Sequence, residues 1–161
     1  MRHDLVLHAL QQEHFFPFVW NAFELLHPGL AFIPSWHVEA MCYALEKVAS
    51  GETKRLLITV PPRHGKSICT AVAFPSWLLG KDPGLKIMVA SYGGDLASKH
   101  ARDFRTVITS SWFTDLFPGT RLEVGATERT SRSRPLTEAA KRCPWAGPLL
   151  ALAPTSSLSM I

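Results

Sequence analysis

Gly65, Lys66 and Ser67 stand in a row behind the stretch VPPRH at 60–64. The triplet is the closing half of a phosphate-binding loop, whose full pattern is G-x-x-x-x-G-K-[ST] between a strand and a helix. Each residue type answers a need of triphosphate chemistry. Gly65 lets the backbone come close to an anion. Lys66 reaches the β- and γ-phosphates, and the Ser67 hydroxyl binds Mg²⁺. Arg63 adds a second cation for phosphate oxygens, and His64 reads as a spacer. Val60 stands where the first glycine belongs. Pro61 and Pro62 remove two amide donors, so Arg63, His64 and Gly65 must supply the N–H groups of the cradle. The competing explanation is a surface turn with two solvated basic side chains.

Such a loop works only at the start of a helix, where free N–H groups and the helix dipole favour an anion. The flanking residues predict that context. KRLLITV at 54–60 is a near-continuous apolar strand of the kind buried in a parallel sheet. Residues 66–79 read as a helix, GLKIMVASY at 84–92 as a second buried strand, and 93–110 as a further helix. Upstream, Ser35 is a plausible cap for a helix ended by Gly51, with Trp36, Met41, Leu45 and Val48 at helical spacing. Residues 4–27 are apolar at roughly helical spacing through Leu7, Leu10, Phe18, Phe23 and Leu26, with Pro17 expected to kink the helix or start a new one. The order strand, loop, helix, strand, helix predicts an α/β fold, a partial P-loop NTPase with a parallel sheet flanked by helices.

The 161 residues suffice for one compact domain, and with 47% of them hydrophobic a buried core is within reach. A net charge of +4 fits a nucleotide or nucleic-acid partner without demanding one. Cys42, Cys69 and Cys143 have no metal-ligand spacing and read as reduced thiols. No apolar run is long enough for a membrane span, and MRHDLVLHALQQEH lacks the form of a secretory signal. From about Gly125 the composition turns to Pro, Ser, Thr and Arg without a period, as in an irregular tail.

Taken together, PSWH at 34–37, PPRHGKS at 61–67, FPSWLLGKDP at 74–83, VASYGGDLASKHARDFR at 89–105 and SSWFTDLFPGTRL at 110–122 resemble the N-terminal ATPase domain of the large subunit of tailed-phage terminases, the motors that package DNA into a preformed capsid. The likeness spans roughly residues 12–122. It implies ATP and Mg²⁺ as ligands, held by Arg63, His64, Gly65, Lys66 and Ser67, with Ser67 meeting the metal. It places the adenine base near Trp36 and His37, where Trp36 either stacks on the base or belongs to the core. It implies double-stranded DNA as substrate, with the small terminase subunit and the portal of the procapsid as partners in the host cytoplasm. Lys99, Arg102 and Arg105, at i, i+3 and i+6, would form a basic stripe for DNA phosphates or an ordinary solvated face.

Such a motor also needs an apolar strand ending in acidic residues, the Walker B element, and a nuclease domain with clustered carboxylates. After residue 92 neither is present. The tail offers a reason. Read one nucleotide earlier, the codons of 143–161 force a glycine across Trp145–Ala146 and an aspartate across Met160–Ile161. The degenerate positions permit SVGGALTGLGADFLVVDD, which resembles the family's run into Walker B. A frameshift between about Leu122 and Ala139 is therefore expected, giving a helical segment at 1–30, an incomplete ATPase domain at 31–122 and an irregular, out-of-frame tail at 123–161. No catalytic residue is assigned. A helicase-like P-loop ATPase acting on nucleic acid, a non-enzymatic anion-binding module and a functionless prophage relic stay open as alternatives.

Overall fold

The structure, a computed structural model, describes residues 2–120, all of whose regular elements are helical. In chain order they are α1 (Arg2–Glu13), α2 (Phe15–Leu26), α3 (Trp36–Ala49), a π-helical segment (Ile68–Ala73) running into α4 (Phe74–Lys81), α5 (Gly94–Ile108) and α6 (Ser111–Leu116). The tail from 121, with the expected frameshift junction and Cys143, lies outside the described residues.

The break in the first apolar stretch falls at His14, whose backbone is extended (φ −109°, ψ 135°), rather than at Pro17. Pro17 sits in the first turn of α2, where a missing N–H costs nothing because those donors have no intrahelical acceptor. The first of these donors, the Phe15 N–H, donates to Glu46 Oε1 of α3 at 2.6 Å. The arrival of α2 at α3 is thus fixed by a charge-assisted bond. Below it, Phe15, Phe18, Val19 and Ala22 meet Val38, Met41, Cys42 and Leu45 in one core with Phe74, Trp77, Val107 and Phe113. Leu7 and Leu10, expected on the apolar face, are exposed. The link from α1 is polar: the Gln11 carbonyl accepts from Trp77 Nε1 and its Oε1 from Trp112 Nε1, each at 3.0 Å. One glutamine therefore ties α1 to both α4 and α6.

The helix expected at 66–79 runs continuously from Lys66 to Lys81. Its residues from Cys69 to Trp77 are all buried. Its middle is widened to i→i+5 turns, and Pro75 supplies a reason. That residue offers no N–H, and in α-geometry its ring would press on the carbonyl four residues back. Widening the preceding turn relieves that contact. Thr70 and Ser76 return their hydroxyls to the carbonyls of Lys66 and Val72, at 2.9 and 2.7 Å.

The expected α/β fold is not what forms. Among the described residues there is no strand, so the parallel sheet of a P-loop NTPase is absent there. Residues 54–60 keep the period of a strand: Leu56, Ile58 and Val60 pack on the core while Leu57 is 68% exposed. Among the described residues no backbone hydrogen bond joins 54–60 or 86–92 to another segment. The second run is covered even less, with Met88 and Tyr92 exposed. Apolar side chains at the right spacing set which face turns inward, but a strand also needs a neighbour to complete its ladder. Among the described residues neither segment finds one.

The ends of α5 and α6 are set locally. Ser110 caps α6 by accepting from the Phe113 N–H at 3.2 Å. Thr120 turns its hydroxyl to the carbonyls of Leu79 and Gly80, at 3.2 and 3.3 Å, closing the chain over the end of α4. Among the described residues no helix is long and apolar enough to cross a membrane.

Candidate phosphate-binding site

The loop triplet opens a helix, as the chemistry requires. The first closed turn joins the Cys69 N–H to the Gly65 carbonyl at 3.0 Å. Ahead of it the backbone changes hand twice: Arg63 has φ 67° and Gly65 φ 74°, while His64 between them is not left-handed. Neighbouring residues of opposite hand can turn their N–H groups toward one concavity, the backbone nest that receives anions. Arg63 is the sole non-glycine residue with positive φ among the described residues. A left-handed arginine is uncommon and strained by roughly 1 kcal/mol or more. The strain falls on a residue whose guanidinium also suits phosphate.

Around this turn Arg63 and His64 are exposed, Gly65 and Ser67 half-buried. Lys66 is 8% exposed, deep for an ammonium, at the mouth of the helix. The Ser67 side chain makes no cap bond. Among the described residues no group of three or more His, Cys, Asp or Glu side chains is placed to hold a metal ion.

The start of α3 lies beside the loop. A Cβ built on Gly65 would stand 3.9 Å from Val38 Cγ2. The His37 and His64 rings meet edge to face at 5.2 Å and 63°. His37 in turn meets Trp36 at 6.1 Å and 87°, and its Nε2 lies 3.4 Å from Ser35 Oγ. Ser35 has the extended backbone of a cap but makes no side-chain cap bond. Two helix N-termini, those of α3 and of the helix at Lys66, thus face the same loop. Trp36 is 80% exposed, so it is not a core residue.

The fold therefore gathers Trp36, His37, Arg63, His64, Gly65, Lys66 and Ser67 in one region, although 54–60 forms no strand. The basic residues of α5 do not form a clear stripe. Lys99 is held by Asp103 at 2.8 Å, Arg102 is exposed and Arg105 half-buried. On the same helix His100 is buried against Ser91, whose Oγ lies 3.3 Å from its Nδ1. Burial, then the neighbouring Lys99 charge, push this imidazole below its ordinary range, with Asp103 opposing. The contacts of Val38 and of His37 with the loop carried no signal in the sequence, because nothing in the spacing relates 37 to 64. Comparison of the chain with family models, with curated proteins and with solved structures finds no match in any of the three.

Proposed function

We propose that the loop at 63–67 binds the phosphates of a nucleoside triphosphate, ATP with Mg²⁺, and that the chain is an ATP-binding portion of a DNA-packaging motor related to the terminase large subunit. The observation that carries the reading is the alternation of backbone hand at Arg63 and Gly65, immediately ahead of a helix whose first residue is a buried lysine. A surface turn with solvated cations has no need of either feature. In this reading Arg63, Lys66 and the loop N–H groups hold the phosphates, Ser67 meets the metal, and Trp36 carries the base. Mg²⁺, when bound, neutralises charge on the phosphate oxygens; the residues here orient the chain that brings it.

The same reading predicts binding without turnover, because no carboxylate is assigned to activate water. Double-stranded DNA, the small subunit and the procapsid portal would be partners of the whole motor in the host cytoplasm, and on α5 only the exposed Arg102 would be placed to meet a DNA phosphate. Calorimetric titration with MgATP tests the core of the proposal. Lys66→Ala should weaken binding by about 10- to 100-fold, the worth of a charge-assisted contact of about 1.5–3 kcal/mol. Equal affinity in both proteins would leave only an anion-binding or structural role. Phosphate release that vanishes in Lys66→Ala would overturn the prediction of no turnover.

A further inference from the structure

We propose that His64 is a positioning residue that clamps the phosphate loop to the start of α3, so that the base platform at Trp36 and the phosphate cradle at 63–67 act as one unit. The inference rests on the nucleotide reading above and assigns a role to the ring of a residue otherwise expected to act through its backbone N–H. A spacer would leave its ring in water without partners. Although exposed, His64 makes two contacts that pull in different directions. Its Nδ1 lies 2.9 Å from the Pro62 carbonyl. A carbonyl only accepts, so Nδ1 carries the hydrogen and donates, which fixes the tautomer. That bond spans Arg63 and closes the turn in which Arg63 takes its left-handed φ of 67°.

The second contact leaves the loop. The His64 ring meets His37 at 5.2 Å, and His37 meets Trp36 at 6.1 Å. Three rings therefore run from the exposed indole to the loop. Beside them Val38 faces Gly65. A ligand that touches only the loop does not sense this chain of rings. One that touches both the loop and the indole does, because its two halves are held at a distance that the rings fix. Preorganisation of this kind appears as affinity for the longer ligand alone.

The test uses the full chain and two probes, MgATP and magnesium tripolyphosphate, titrated into wild type, His37→Ala, His64→Ala and the double variant. His64→Ala should weaken MgATP about three- to tenfold more than tripolyphosphate, the range spanned by one aromatic pair; tripolyphosphate should lose only what the bond to Pro62 gives the loop. The double variant should bind MgATP no worse than the weaker single variant. His64→Phe keeps the ring against His37 and should recover at least half of the loss on a logarithmic scale; it also guards against a misfolded alanine variant, as does circular dichroism on each protein. Additive losses, an equal loss for tripolyphosphate, or no rescue by phenylalanine would each overturn the role of His64. Wild type that binds neither probe would instead overturn the nucleotide proposal itself.

Discussion

Gly65→Ala isolates the backbone contribution to the loop. Gly65 has φ 74°, and an added Cβ would come no nearer to another residue than 3.9 Å, at Val38 Cγ2. Space is therefore not the obstacle. The cost is conformational: an L-residue in the left-handed region is disfavoured by roughly 1–2 kcal/mol. The protein can meet that cost in two ways. If the loop keeps its shape, folding stability falls by that amount. If the loop relaxes to negative φ, stability is spared, but the nest must be rebuilt on binding, and MgATP affinity falls by about 5- to 30-fold. The two losses together should come to about 1–2 kcal/mol. Urea denaturation followed by circular dichroism reads the first, and calorimetric titration with MgATP reads the second. Gly65→Asn, which tolerates the left-handed region better, should lie between glycine and alanine. An alanine variant equal to wild type in both measurements would refute the claim that the hand of this residue matters.

Gly80→Ala should destabilise, although helix propensity alone would favour it by up to about 1 kcal/mol. Its Cβ would stand 2.4–2.7 Å from three ring carbons of the buried Phe117, and overpacking of this kind costs about 1–3 kcal/mol; a raised melting temperature would contradict the packing described. Glu46→Gln should cost about 1 kcal/mol in urea melts at pH 7, because the Phe15 N–H would trade a carboxylate for a neutral acceptor; an unchanged midpoint would remove that bond from the account of how α2 meets α3. His100 has its pKa lowered in the fold, so the unfolded chain takes up the proton first; stability should be complete above about pH 6.5 and decline as pH falls below it. His100→Gln should flatten that decline, and an unchanged slope would remove His100 as its source.

Much of the candidate site was legible in residue order. The Gly65–Lys66–Ser67 triplet and the helix that follows are local features: a glycine marks the start, and the backbone bonds that build the helix span only four or five residues. The helices at 35–51 and 93–110 were readable for the same reason, and they form as Trp36–Ala49 and Gly94–Ile108. Even the start of α2 was half visible, since Pro17 had to lie near a helix beginning, although His14 makes the break.

What depended on distant residues could not be read in this way. The alternation of Leu56, Ile58 and Val60 set which side of 54–60 faces the core, but a strand exists only if another segment supplies its hydrogen bonds, and no local pattern says whether one does. Packing alone decided that Trp36 is exposed while Trp77 is buried, two tryptophans with similar apolar neighbours in the chain. The meeting of His37 with His64 likewise arises from the way α3 and the helix at Lys66 share one core. Short-range hydrogen bonding and side-chain period are written residue by residue, whereas ladder partners, exposure and ring contacts are properties of surfaces brought together by the whole chain.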